Sequence, residues 1–271
     1  MKKWLLLGVT LVYLLSCGRS SEPPSIQAAA QTASDDESAE TEELIIGGHL
    51  VTKKEEIAST TVSLLDTRQG TLCTASILSE EVAITAAHCV DGDPNDMQLS
   101  FGPRSAGREV RPLVEVAVST KWRAHQHDQF NNGDIALVKF SGGLPETYKT
   151  ASVMKSSHHL MNGEIVTLAG YGITNGNGDG AGRLRSVDVK IADARYSLTE
   201  VTLDQTKRRG ACHGDSGGPA FIQNNNGGLL LWGVTSRGIN DPTDHCIGQS
   251  VYTRVQPYTR WINTVVRRWQ K

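Results

Sequence analysis

Apolar residues fall along this chain in three regimes. After Lys2 and Lys3, positions 4–15 form an apolar run of twelve residues, too short to span a bilayer comfortably. A charged start followed by such a run predicts an export signal rather than a packed helix. Positions 18–44 hold mainly Ser, Ala, Glu, Asp and Pro. They carry too little apolar surface to build a core, which predicts a flexible spacer. From position 45 short apolar runs recur, at 61–65, 82–85, 135–140, 165–169 and 229–234, separated by Gly, Asn and Asp. That pattern predicts short strands joined by tight turns, and Asn224-Asn225-Asn226-Gly227-Gly228 predicts a hairpin turn. At the C-terminus Tyr258, Trp261, Ile262, Val265, Val266 and Trp269 recur at helical spacing, so a helix should dock its apolar face on the body. Arg267, Arg268 and Lys271 follow it, where cations suit the negative pole of a helix.

Composition narrows the function classes. The 271 residues have a formal net charge of −2, which excludes a strongly basic nucleic-acid binder. With 38% hydrophobic and 21% charged residues the chain is neither collagen-like nor wholly disordered. The charge is uneven: residues 18–44 set one base against seven acids. An acidic tether therefore precedes a nearly neutral globular part. The division is a signal at 1–16, Cys17 with the spacer to 44, and one domain over 45–271, with no internal repeat.

Five cysteines is an odd count. Cys17 closes the apolar run within Leu14-Leu15-Ser16-Cys17-Gly18, which resembles the lipobox of bacterial lipoproteins. The resemblance implies that Cys17 becomes a lipidated first residue on an exported chain. Gly18 gives no inner-membrane retention signal, so an outer-membrane anchor is favoured; ordinary cleavage nearby would leave a soluble exported protein. The other four are Cys73, Cys89, Cys212 and Cys246. Export permits disulfides, and four cysteines allow three pairings that sequence alone leaves open. No Cys-x-x-Cys pair occurs, so a structural zinc site is poorly supported.

Three segments carry chemistry. Gly214-Asp215-Ser216-Gly217-Gly218-Pro219 places a serine between glycines that let the backbone turn sharply and present N–H groups beside it. A serine hydroxyl needs a base and an oxyanion hole to act as a nucleophile. Ala83-Ile84-Thr85-Ala86-Ala87-His88-Cys89 runs an apolar strand through small residues into a histidine, whose charge changes near neutral pH. Asn132-Gly133-Asp134-Ile135-Ala136-Leu137-Val138 sets an acid at the mouth of an apolar run, where a buried carboxylate would hold one imidazole tautomer. Alone, each has a plain structural reading: a packed histidine, a turn, a cap. Together, in the order His, Asp, Ser, they fit one acyl-transfer mechanism.

With these segments the chain resembles the chymotrypsin/trypsin-like serine endopeptidases over about residues 45–271. Further points of resemblance are Ile45-Ile46-Gly47-Gly48, Cys73 sixteen residues before Cys89, Gly170-Tyr171-Gly172, the 232–238 segment and the 251–255 segment. The resemblance implies an all-β fold of two packed antiparallel six-stranded barrels with a C-terminal helix. It implies disulfides Cys73–Cys89 and Cys212–Cys246, a triad of Ser216, His88 and Asp134, and an oxyanion hole from the N–H groups of Gly214 and Ser216. Ser236 would support Asp134. No metal or organic cofactor is implied. Protein or peptide substrates are the expected partners, with the membrane reached only through the lipid anchor and a monomer as the default.

The same resemblance implies a zymogen. Cleavage between Leu44 and Ile45 would free an α-amino group to pair with Asp215; until then Asp215 should lie elsewhere and the oxyanion hole and pocket should be poorly formed. Leu44 replaces the Arg or Lys common at this point, so a trypsin-like activator is not indicated. The specificity pocket would be lined by Gly210, Ala211, Ser236, Arg237, Gly238 and Ser250. With Gly210 where trypsin-like members carry an acid, an apolar residue before the scissile bond is favoured. Glutamate is the runner-up, because Arg237, His213 and the Lys207-Arg208-Arg209 run could attract acids. A binding homologue that keeps the fold without catalysis is the rival class. A calcium-like stretch at 91–96 lacks the Gly at position six and a closing Glu, and His125, His127, His158 and His159 have no further ligands at useful spacing.

Overall fold

The computed structural model describes residues 46–107, 109–155, 159–175, 178–241, 243 and 246–271. The signal, Cys17, the spacer, Ile45 and His158 lie outside the described residues. Strands in chain order are β1 (His49–Leu50), β2 (Thr61–Asp66), β3 (Thr71–Ser79), β4 (Val82–Thr85), β5 (Met97–Phe101), β6 (Glu109–Val118) and β7 (Ala136–Phe140). A short helix α1 (Thr120–His125) precedes β7. Then come β8 (Ser152–Val153), β9 (Ile165–Gly170), β10 (Arg185–Asp193), β11 (Glu200–Asp204), β12 (Pro219–Gln223), β13 (Leu229–Ile239), β14 (Gln249–Arg254) and helix α2 (Thr259–Trp269).

These strands close two antiparallel barrels, as the resemblance implies. The first runs β2-β3-β4-β7-β6-β5 and closes through β2 with β5, where Leu64 faces Leu99. Val62, Leu64, Ala75, Ile77, Ile84, Leu99 and Leu137 fill it and are almost completely buried. The second runs β10-β11-β14-β13-β12-β9 and closes through β9 with β10. Its core holds Val166, Leu168, Val187, Val201, Leu203, Trp232 and Tyr252. Burying side chains of this kind contributes about 1.5–3 kcal/mol each before chain entropy is counted. Strand β1 adds to β10, and β8 pairs parallel with β13.

The turn at 224–228 closes β12 onto β13, with the Asn224 N–H donating to the Gly228 carbonyl at 2.9 Å. Helix α2 buries Ile262, Val265 and Trp269, the stripe its spacing predicts. Its last carbonyls meet cations: Lys139 Nζ on β7 donates to the Trp269 carbonyl at 2.8 Å, satisfying a helix-end acceptor. Among the described residues no helix is long and apolar enough to cross a membrane.

Candidate active site

His88 sits in a 3-10 turn (Ala87–Val90) directly after β4. Ala83, Ala86 and Ala87 are fully buried, so the turn packs closely and the imidazole is aimed by the barrel wall. Asp134 lies where the chain enters β7 and is 2% exposed. Both of its oxygens face His88: Oδ1 accepts the His88 backbone N–H at 3.0 Å, and Oδ2 lies 2.8 Å from Nδ1. A carboxylate only accepts hydrogen bonds, so Nδ1 carries the proton and Nε2 is left as the basic nitrogen. The Ser236 hydroxyl donates to the same Oδ2 at 2.6 Å, and the Asp134 N–H donates to Asn132 Oδ1 at 3.2 Å. Burial opposes a charge on His88. The hydrogen bond and negative charge of Asp134, helped by Asp91, outweigh it and raise the pKa above the ordinary histidine value.

Ser216 is carried by a loop pressed against both barrels. Gly214 and Gly217 have φ of +95° and +79°, backbone that side chains rarely adopt. A Cβ on Gly217 would meet Thr85 Oγ1 at 2.0 Å. From the first barrel Thr74 donates its N–H to the Ser216 carbonyl at 2.8 Å and its hydroxyl to the Gly214 carbonyl at 3.0 Å. From the second, Gly217 N–H donates to the Thr235 carbonyl at 2.8 Å, and Thr235 N–H to the Gly218 carbonyl at 2.9 Å. Among the described residues nothing accepts the N–H of Gly214 or of Ser216. Two adjacent unclaimed donors of this kind suit an oxyanion.

Local links bring the three segments together. Cys73, beside Thr74, is joined to Cys89, beside His88, by a disulfide. Ser236, beside Thr235, holds Asp134. The Ser216 hydroxyl makes no hydrogen bond to His88; such contacts are often loose without substrate and tighten when it binds.

The Asp215 side chain is buried, with Oδ2 accepting Cys212 N–H and Oδ1 accepting Gly172 N–H, both at 2.8 Å; Ile45, its expected partner after cleavage, lies outside the described residues. The two backbone donors hold it there with no cation in direct contact among the described residues. Burial pushes its pKa up to about 6, against the backbone hydrogen bonds and the charges of Arg185 and His213.

A cavity of about 430 Å³ opens beside Ser216, lined in part by Ala211, Ser236, Arg237, Gly238 and Ser250. The Cys212–Cys246 disulfide forms part of its wall. Gly210 is not on the lining: the Gln205 side chain lies in front of it, within 2.5 Å of where a Cβ would stand. Gln205 is saturated, accepting the Ala211 N–H and donating to the Ala211 and Cys246 carbonyls. Arg237 is spoken for by Glu200 at 2.9 Å, and the half-buried Asp241 also lines the cavity. Thr74 and Glu200 were invisible in the sequence because each acts through a partner distant in the chain, and Gln205 because the fold of its loop sets where its side chain lies.

The family model described as Trypsin matches residues 45–262. The chain is 29% identical over 211 residues to transmembrane protease serine 11G of Rattus norvegicus, covering 71% of this chain and 49% of that protein. It is 31% identical over 205 residues to brachyurin of Leptuca pugilator, covering 71% of this chain and 86% of that protein. It is 28% identical over 226 residues to granzyme M of Rattus norvegicus, covering 77% and 84%. The chain thus spans about half the length of the first of these relatives and most of the other two.

Proposed function

Since the chain belongs to the trypsin family of serine-type endopeptidases, we propose that it hydrolyses internal peptide bonds of protein substrates through Ser216, His88 and Asp134. His88 Nε2 takes the Ser216 proton as the hydroxyl attacks the scissile carbonyl, then returns it to the leaving amine. Asp134 holds the tautomer and stabilises the imidazolium. The N–H groups of Gly214 and Ser216 bind the oxyanion, each contributing about 3 kcal/mol of transition-state stabilisation. Water then attacks the acyl-enzyme, with His88 as base again. The observation that carries this reading is the twofold grip of Asp134 on His88 beside a serine loop with two unclaimed N–H donors. A fluorophosphonate should label Ser216 in protein beginning at Ile45; folded protein beginning at Ile45 that is never labelled would leave the binding-homologue reading instead.

The primary pocket is read as preferring apolar side chains before the scissile bond. Among the described lining residues the one carboxylate, Asp241, is taken up by Thr243 and Ile247, and the Gln205 amide already has partners. The Glu200–Arg237 pairing weakens the glutamate alternative, because that cation is neutralised. Peptide-library cleavage distinguishes the two.

Cleavage at Leu44–Ile45 is read as activating. The new α-amino group of Ile45 would reach Asp215, whose burial makes an uncompensated charge costly, and so favour the competent loop. Ile46 already lies against this region, its carbonyl accepting the Gly210 N–H at 3.0 Å. Export, lipidation at Cys17 and release from the anchor on cleavage complete the proposal. A Ser216→Ala chain expressed alone and still cut at Leu44 would exclude strict self-processing.

A further inference from the structure

Glu200 on β11 is completely buried and takes no part in the steps above. Its Oε1 pairs with Arg237 Nη1 at 2.9 Å. Its Oε2 accepts the Asn131 N–H at 2.8 Å and the Ser197 hydroxyl at 3.1 Å. Asn131 has a φ of +53°, and its Oδ1 accepts the N–H and hydroxyl of Thr199, both at 3.0 Å. Arg237 donates further, to the Gln129 carbonyl at 2.5 Å and to the Ser236 hydroxyl oxygen at 3.3 Å. Ser236 in turn donates to Asp134. One continuous chain of hydrogen bonds therefore runs Glu200, Arg237, Ser236, Asp134, His88.

We propose that Glu200 and Arg237 are positioning residues for the His88–Asp134 pair, an ion pair that pins the 129–134 segment to the second barrel and orients Ser236 towards Asp134. The proposal rests on the triad reading above.

Two physical consequences follow from the geometry. The first is mechanical. Asp134 belongs to the first barrel, and Ser236 to the second. The Gln129 carbonyl and the Asn131 N–H are the points where the segment leading to Asp134 is fastened to Arg237 and Glu200. Asn131 adopts the left-handed backbone that Asn tolerates, and these partners fix it there.

The second is electrostatic. Arg237 donates to the oxygen of Ser236 and so favours the hydroxyl that points its own proton at Asp134. Left alone, a guanidinium one hydroxyl away from Asp134 would weaken the basicity of His88; Glu200 cancels it. Among the described residues, the other charged or titratable groups acting on this cluster are Asp91 beside His88 and the Tyr258 phenol, which feels both Glu200 and Asp134. Removing one member of a buried pair leaves the other uncompensated, whereas removing both is far milder.

The test uses protein beginning at Ile45 with Glu200→Gln, with Arg237→Met, and with both. His88 protonation is followed by the NMR signals of its imidazole, which need no turnover. Glu200→Gln is expected to lower the His88 midpoint and Arg237→Met to raise it, each by about half a pH unit or more. The double variant should return close to the parent. In kinetics each single change should cut kcat about tenfold with KM within about threefold, and Arg237→Lys should recover part of the loss.

Midpoints that stay put, or that move in the same direction in both single variants, overturn the electrostatic role. A double variant with full kcat overturns the tether, and remains measurable if a single variant does not fold. Failure of the triad reading looks different: the parent itself would resist fluorophosphonate.

Discussion

The two barrels position their chemical groups by different means. The first aims His88 and Asp134 from a wall of close-packed aliphatic residues, and its almost fully buried side chains include Val62, Leu64, Ile77, Ile84, Leu99 and Leu137. The second surrounds the serine loop and the pocket with buried polar groups: Arg185, Glu200, Gln205, Asp215 and Ser250 are each at most 3% exposed. A histidine after a regular strand inherits its direction from packing. A loop that turns through positive φ and keeps N–H groups free for substrate has no ladder to hold it, so side-chain and cross-barrel hydrogen bonds take that role. Damage to the first barrel should therefore appear mainly as lost stability. Damage to the second should appear mainly as lost chemistry.

That contrast can be broken in graded ways. The largest effect belongs to Ser216→Ala, which is expected to lower kcat by at least about a thousandfold while thermal unfolding stays within about 2 °C of the parent. Next is Leu99→Ala, deep in the first barrel. It should cost about 2–5 kcal/mol in urea unfolding and leave kcat of the folded protein within about twofold; a matching collapse of kcat would erase the distinction.

Thr74→Val tests the point where the barrels meet. It removes the hydroxyl that donates to the Gly214 carbonyl and accepts the Tyr171 N–H at 3.2 Å. Stability should fall by about 1–2 kcal/mol and kcat by about tenfold, with KM little changed.

The smallest effect is a pH displacement. His88 must be neutral to act as a base, and its pKa is raised, so kcat/KM should fall as pH drops through a midpoint above the ordinary ~6.5. Asp215 carries the stability counterpart. Its pKa rises on folding to about 6, so the native state binds the proton more tightly. Its contribution to stability is therefore largest at low pH and declines as pH rises from about 4 through about 6. Chemical denaturation of full-length protein and of protein beginning at Ile45 should diverge across this window, the latter losing less.

Much of this is legible in the sequence alone. Glycines around Ser216 announced a sharp turn, small residues before His88 announced close packing, and Asp134 at the head of an apolar run announced a buried acid. The apolar spacing of α2 was equally plain. Asp215 was less so, because the Cys212 and Gly172 N–H groups that hold it are a property of the folded loop. Gly210 pointed to an uncharged pocket base, but the Gln205 side chain over it could not be read from a position five residues earlier.

The sequence by itself determined the strand-and-turn pattern, the terminal helix and the choice of three candidate catalytic side chains, because periodicity, turn residues and chemical type are carried locally. Only the tertiary structure decided their partners. Ser236 reaches Asp134 across 102 positions and Thr74 reaches the 214 carbonyl across 140. Contacts at such separation are selected by barrel closure and mutual packing, and no short stretch of chain contains them.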